Sequence, residues 1–100
     1  MGYIEWNYLQ AKRQADRLEE QADMLDRLAS NQMEESLQRL TGSWKGENAR
    51  RYICKGDRAK KEINKLSKEL KRTASVIRSS AERMHRAEMR AKALACTLKR

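Results

Sequence analysis

Thr41-Gly42-Ser43-Trp44-Lys45-Gly46 decides the fold of this chain, because it is the one break between two long helical patterns. Gly42 suits the left-handed position that ends a helix. Ser43 suits the N-cap of the next helix, where its side-chain oxygen accepts from a free backbone N–H. The sequence therefore predicts a first helix over about residues 3–40, a bend at 41–43 and a second helix over about 44–98.

Two residues of this stretch have no evident part in making the turn. Trp44 is expected to open the second helix with its ring against the bend. Gly46, one turn further on, lowers helix stability by about 1 kcal/mol relative to alanine. Its missing side chain predicts that another group approaches the backbone closely there.

Composition limits the chain to a small helical protein. One hundred residues make at most one domain. With 37% charged residues, no proline and four glycines, the chain is typical of long helices rather than of sheet or disorder. Two helices alone cannot bury a large core, so self-association or a partner is expected.

Hydrophobic periodicity indicates which side of the second helix is covered. A stripe of 15 residues alternates spacings of three and four. No member is charged, whereas a random set of 15 from residues 44–98 would hold about six charges. The stripe consists of Ala49, Tyr52, Gly56, Ala59, Ile63, Leu66, Leu70, Thr73, Ile77, Ser80, Met84, Ala87, Ala91, Leu94 and Leu98.

The first helix carries a matching stripe made of Ile4, Tyr8, Ala11, Ala15, Leu18, Ala22, Leu25 and Ala29. Folding the chain at Gly42 places Leu18 opposite Leu70, and Ala22 opposite Leu66. A repeat of 3.5 residues implies left-handed coiling of one helix on the other. The predicted fold is thus all-α: an antiparallel two-helix hairpin with coiled-coil packing, which assembles into a four-helix bundle.

Two apolar groups stay uncovered in this hairpin. One is a second stripe on the first helix, formed by Met24, Leu28, Met33, Leu37 and Leu40. The other is a cluster near the N-terminus, formed by Tyr3, Trp6 and Leu9. They are either scattered surface hydrophobics, which are common, or an intermolecular interface. Methionine and leucine at helical spacing favour the interface, because they suit docking of one helix in the groove of another.

Charge divides the chain in two. Residues 1–44 hold 5 Lys and Arg against 8 Asp and Glu, whereas residues 45–100 hold 18 against 6. The two helices should therefore attract each other. An almost continuous basic surface follows the second helix: Lys45, Arg50, Arg51, Lys55, Arg58, Lys60, Lys61, Lys65, Lys68, Lys71 and Arg72. It is a solvated face, a surface for an acidic protein, or one for nucleic acid or an anionic membrane.

The W-x-G tripeptide in the middle of two helices, in a chain of this length, resembles the WxG family of small type VII (ESX-type) secretion proteins. The resemblance covers the whole chain. It implies that Trp44 and Gly46 form part of a secretion or partner motif. It also implies a C-terminal export pattern, a hydrophobic or aromatic residue followed four positions later by an acid. Met84 and Glu88 fit the hydrophobic form and depart from the tyrosine form.

The resemblance implies a non-enzymatic protein that is exported as a folded dimer or acts as targeting partner of a larger LXG-type toxin. Expected partners are a second copy or another helical WxG or LXG protein, expected to be acidic, and the secretion machinery. The alternatives are a structural coiled-coil adaptor and a basic helical nucleic-acid-binding protein.

Other function classes find no support in the residues. No convergent catalytic set or cofactor motif is present, and the single His85 has no second metal ligand at helical spacing. No apolar run approaches the ~20 residues that cross a bilayer. Residues 1–6 lack the basic and apolar regions of a signal peptide. The expected localisation is thus cytoplasmic before secretion by a signal-peptide-independent route.

Overall fold

A computed structural model describes the backbone of residues 3–98 and the side chains of residues 5–98, so the predicted roles of the Tyr3 and Ile4 side chains lie outside it. The described chain is helical and contains no strand. We name its elements α1 (Tyr3–Arg27), a π-helical segment (Leu28–Met33), α2 (Glu34–Ser43) and α3 (Glu47–Leu98). The prediction of an all-α protein is therefore confirmed.

The first three elements run back along α3 in the opposite direction. The Tyr8 ring stacks on His85, the Ser67 hydroxyl reaches Ala22, and Leu37 lies against Gly56. From Tyr8 to Leu37 the contacting residues of the first three elements rise in number, while their partners on α3 fall from His85 to Gly56. The molecule measures 82 × 16 × 13 Å, which matches the length of the 52-residue α3.

The break lies three residues later than the predicted bend at 41–43. The hydroxyls of Thr41 and Ser43 donate to the carbonyls of Leu37 and Arg39, at 2.8 and 2.7 Å. Because these side chains bond within their own helix, Ser43 does not cap the next one. The helix ends at Ser43, and Trp44 has extended backbone at φ −116° and ψ 122°.

Gly46 makes the turn that was assigned to Gly42. Its φ is +114°, a region that side chains rarely adopt, and its carbonyl accepts from Arg50 N–H at 3.1 Å as α3 begins. Among the described residues of this chain, no atom comes within 4 Å of where its side chain would start, so the chain itself makes no close approach at Gly46. It occurs instead at Gly56, where a Cβ would stand 2.6 Å from a methyl group of Leu37.

Small residues form the seam between α1 and α3. Ala15, Ala22 and Ala29, seven residues apart, are fully buried. On α3, Ser67, Ala74 and Ala81 repeat at the same interval and are also buried. These side chains let the backbones come close enough for the Ser67 hydroxyl to donate to the Ala22 carbonyl at 2.9 Å. Ala22 therefore lies against Ser67. The predicted contact between Ala22 and Leu66 is wrong.

The uncharged stripe of α3 is turned partly away from α1. Of its two rows, the one with Ile63, Leu70 and Ile77 is half-buried along the seam. The row with Tyr52 and Leu66 is largely exposed, and Leu66 has 47% of its surface in solvent. The prediction that the whole stripe covers the first helix is therefore wrong, because the smaller row of Ser67, Ala74 and Ala81 allows closer packing.

The π-helical segment keeps the first half of the chain in register with α3. A π turn holds one residue more than an α turn. The position that faces α3 therefore moves from Ala22 and Ala29, seven apart, to Leu37, eight further on. This shift makes Met33, Leu37 and Leu40 half-buried, so the expectation that α3 leaves them uncovered is wrong. Without it, Gln32 and Ser36 would occupy the seam.

Candidate protein-docking surface

One edge of the seam is charged. The acids Glu19 and Asp26 follow the buried Ala15 and Ala22 by four residues, which places them on one side of α1. Arg78 donates to Glu19 and Asp16, and Lys71 donates to Asp26 at 2.7 Å. Further along the seam, Lys60 donates to Glu34, whose position depends on the π-helical shift. These pairs join the acidic first half to α3.

The ion pairs shift the pKa of their members. Hydrogen bonds from Arg78, Lys71 and Lys60 lower the pKa of Glu19, Asp26 and Glu34 respectively. The same bonds raise the pKa of Lys60 and Lys71. Each charge thus favours the paired arrangement, although solvent screens pairs that are this exposed.

The opposite edge of the seam is apolar. Leu18 and Leu25 follow Ala15 and Ala22 by three residues, so they lie on the other side of α1 from the acids. On α3, Leu70 and Ile77 follow Ser67 and Ala74 by three in the same way. The large side chains of this edge are half-buried or exposed. We call the set Leu18, Leu25, Leu28, Ile63, Leu66, Leu70 and Ile77 the open apolar face.

A groove continues this face toward the break. Leu28, Met33, Leu37 and Leu40 line it from the first half, and Tyr52 and Gly56 line it from α3. Its volume is about 500 Å³, and it is open to solvent. The Trp44 ring lies at this end, 5.8 Å from the Tyr52 ring between centroids and tilted by 55°. Trp44 remains 43% exposed, so only part of the ring is covered by its own chain.

Met84 and Glu88 lie at the other end of the molecule. They line a smaller pocket of about 280 Å³ with Tyr8 and His85, whose rings stack at 4.4 Å. Met84 is 63% exposed and Glu88 is half-buried. From Glu47 to Glu88, α3 rises about 60 Å. Within one chain, the structure therefore does not bring the predicted C-terminal pattern near Trp44 and Gly46.

The remaining predicted interface residues divide between two surfaces. Leu28 belongs to the open apolar face. Trp6 and Met24 are well exposed. Trp6 lies two residues before the half-buried Tyr8, and Met24 lies two residues after the buried Ala22. That spacing turns both away from the seam. Met24 precedes Leu28 by four residues and so adjoins the border of the open apolar face, whereas Trp6 does not.

The sequence pattern gave no role to Arg78, Ser67 or Ala74, and it placed Lys60 only on the basic surface. Arg78 and Lys60 join the two halves, and Ser67 and Ala74 form the seam. The available signal was the seven-residue repeat of small residues, which occurs on both helices. The leucines and isoleucines of the neighbouring rows led to the prediction that those rows face the first helix.

Beyond Glu88, α3 continues without cover. Residues 89–98 are all exposed, and they include Ala91, Leu94 and Leu98 of the uncharged stripe. This segment, which we call the α3 overhang, extends the apolar row past the last contact with α1.

Over residues 3–98, no helix has the length and apolar character needed to cross a membrane. In the same part of the chain, no group of three or more His, Cys, Asp or Glu residues is arranged to hold a metal ion. Comparison of the chain with protein-family models, with curated proteins and with solved structures found no match.

Proposed function

We propose that this chain is a non-enzymatic type VII secretion protein. It works as an antiparallel two-helix hairpin with coiled-coil packing and assembles through its open apolar face into a four-helix bundle. It is exported as a folded dimer or directs the export of a larger LXG-type toxin. The resemblance of Trp44-Lys45-Gly46 and its setting to the WxG family supports the secretion assignment.

The open apolar face is the observation that carries the assembly. It receives large side chains from both helices, whereas the opposite edge of the seam is occupied by ion pairs. Leu66 and its neighbours remain in solvent in the single chain. Burying this apolar surface against a second pair of helices would stabilise the assembly by about 25 cal/mol for each Å² removed from water. Helices with such a stripe bury it in bundles.

A second copy can pair with the stripe of α3 in an antiparallel register. When facing residue numbers sum to 150, every stripe residue from Tyr52 to Leu98 meets another stripe residue. Two large side chains then meet smaller ones, since Leu70 faces Ser80 and Ile63 faces Ala87, whereas Leu66 meets Met84. The first two pairings suit interdigitated packing. The register also places Leu94 of the α3 overhang beside Gly56 of the second copy, in the groove near the break.

Export depends on Trp44 in this proposal. The test is to express the chain in a host with an active type VII system and to measure its fraction in the medium. Trp44→Ala should abolish secretion and leave the thermal unfolding midpoint within a few degrees of the unmodified chain. Trp6→Ala is the matched control, because Trp6 is exposed and lies off the apolar face. Its secretion should persist.

Equal secretion of the Trp44→Ala and unmodified chains would refute the role of Trp44. Glu88→Ala extends the test to the C-terminal pattern, and its loss of secretion would support that pattern independently. Failure of every form to leave a host that secretes its own WxG proteins would refute the secretion assignment itself.

The contact between Trp44 and Tyr52 favours a second candidate, a structural coiled-coil adaptor in which the tryptophan staples the bend. Under this alternative, Trp44→Ala lowers the unfolding midpoint or dissociates the assembly, and secretion is irrelevant. The measurement of stability beside secretion therefore separates the two candidates.

A further inference from the structure

A row of basic residues occupies the side of α3 that faces away from α1. Arg51, Arg58, Lys65 and Arg72 recur every seven residues and are all exposed. The last three follow Ile53, Lys60 and Ser67 of the seam side by five residues, which is well over a third of a turn. We call these four residues the basic row.

The basic row takes no part in holding the two halves together. The cations that pair with the first half of the chain are Lys60, Lys71 and Arg78. None of the four residues of the row makes an ion pair with any side chain between residues 5 and 98. The row is therefore available to a partner without disturbing the fold.

We propose that the basic row binds a helix of an acidic partner protein, one whose carboxylates recur every seven residues. This inference rests on the proposed function, because it assigns a surface to a protein partner such as the LXG-type toxin named there. The contact of α3 with α1 also follows a seven-residue repeat, so the row keeps a constant direction along the rod. Its charges stand about 10.5 Å apart over about 32 Å. A second helix with acids at the same interval matches every charge.

Around Lys65 the two borders of the basic row carry opposite charges, whereas Lys55 occupies the acidic border near Arg51 and Arg58. Lys61 and Lys68 lie on one side, and Glu62 and Glu69 lie on the other, each three or four residues from Lys65. A helix can place its own cations against Glu62 and Glu69 while its acids meet the row. A phosphate backbone is uniformly negative and would be repelled by Glu62 and Glu69. This arrangement favours a protein helix over nucleic acid.

The test uses two synthetic helical peptides of 28 residues and identical composition. One carries four glutamates at seven-residue intervals, and the other carries them at five-residue intervals, so that they spiral around the helix. Fluorescence anisotropy at low salt measures the affinity of the unmodified chain for each. The heptad peptide should bind about tenfold more tightly, and higher salt should weaken it.

Two variants with the same change in net charge locate the site. Arg51→Gln, Arg58→Gln, Lys65→Gln and Arg72→Gln together should weaken the heptad peptide about 10- to 30-fold. Arg83→Gln, Arg86→Gln, Arg90→Gln and Lys92→Gln, all at exposed positions further along α3, should weaken it less than about threefold. Circular dichroism and light scattering check that both variants keep the helices and the assembly.

Equal binding of the two peptides, or equal loss in the two variants, would overturn the proposal. So would tighter binding of a 20-base-pair DNA duplex that depends on the basic row, since the row would then serve nucleic acid. None of these readouts involves secretion or the open apolar face. A failure here is therefore distinguishable from a failure of the proposed function.

Discussion

The Ser67 hydroxyl donates a hydrogen bond to the backbone carbonyl of Ala22 across the seam, at 2.9 Å and without solvent exposure. A side chain as short as serine reaches the opposite backbone only where two helices lie very close. The seam of alanines and Ser67 thus fixes the distance and rotation of α1 and α3. The larger side chains beside these residues lie on the two edges of the seam. One edge carries the ion pairs, and the other carries the open apolar face.

Ser67→Leu should therefore destabilise the chain strongly, because the seam has no room for three extra carbons. Overpacking of this kind costs about 1–3 kcal/mol. Chemical denaturation monitored by circular dichroism measures the free energy of unfolding. Ser75→Leu, on an exposed position of the same helix, is the control and should change that free energy by less than about 0.5 kcal/mol. Equal effects would show that the seam is not tight at Ser67.

The extra residue of the π-helical segment gives an unusual expectation. Deleting Asn31, which is exposed within that segment, should convert the π turn to an α turn and leave both faces aligned. The chain should then be at least as stable as before in thermal unfolding. Deleting the exposed Glu20 instead removes a residue from regular α-helix. It should rotate Ala15 out of the seam and lower the unfolding midpoint sharply.

Acid should weaken the fold through the paired carboxylates. The pKa values of Glu19, Asp26 and Glu34 are lowered in the folded chain, so their stabilisation is present above an unfolded pKa of about 4. It is lost as pH falls through the folded values. The pKa values of Lys60 and Lys71 are raised, so their ion pairs stabilise the fold below about pH 10. This stabilisation is lost as pH rises through the folded values. Thermal midpoints should therefore be level between about pH 5 and 9.

The triple variant Glu19→Gln, Asp26→Asn and Glu34→Gln should lower the midpoint at pH 7 and flatten its fall below pH 5. The control triple, Glu20→Gln, Glu62→Gln and Glu69→Gln, changes exposed carboxylates that lie outside the cross-seam ion pairs. It should retain the acid dependence of the unmodified chain. The same acid dependence in both triples would assign it to other groups.

The register proposed for two copies can be trapped by disulfides. In a background with Cys54→Ser and Cys96→Ser, Ala59→Cys with Ala91→Cys should give a covalent dimer on mild oxidation, because residues 59 and 91 face each other when numbers sum to 150. Ala59→Cys with Ser80→Cys is the mismatched control and should stay largely unlinked, because neither residue faces 59 or 80 of the second copy in this register. Non-reducing gel electrophoresis reads both. Efficient linkage of the mismatched pair alone would reject this register.

The sequence predicted the helices and the uncharged stripe but not their rotation. Period and charge find a stripe, yet they cannot tell which of its neighbours faces the first helix. Ser67 and Ala74, not Leu66 and Thr73, face the first helix. Their small side chains let the two backbones come closer and leave the ion pairs intact. The row with Ile63, Leu70 and Ile77 then borders the seam, and it forms the open apolar face together with Leu66 of the other row.

The break and the groove beside it were harder to predict. Gly42 and Ser43 resemble a stop and a cap, but hydroxyl bonding within the helix carried α2 through both, and Gly46 made the turn. The π-helical segment left no local signature among Leu28–Met33. It arises because Leu37 and Glu34 gain contacts with Gly56 and Lys60 that an uninterrupted α-helix would deny them.

The open apolar face is tested most directly by the mass of the protein in solution. Leu66 and Val76 are both exposed aliphatic residues of α3, but only Leu66 belongs to that face. Size exclusion with light scattering at micromolar concentration should give a dimer for the unmodified chain and for Val76→Asp, and a monomer for Leu66→Asp with helical content retained. A monomeric unmodified chain, or dimers of both variants, would contradict assembly through this face.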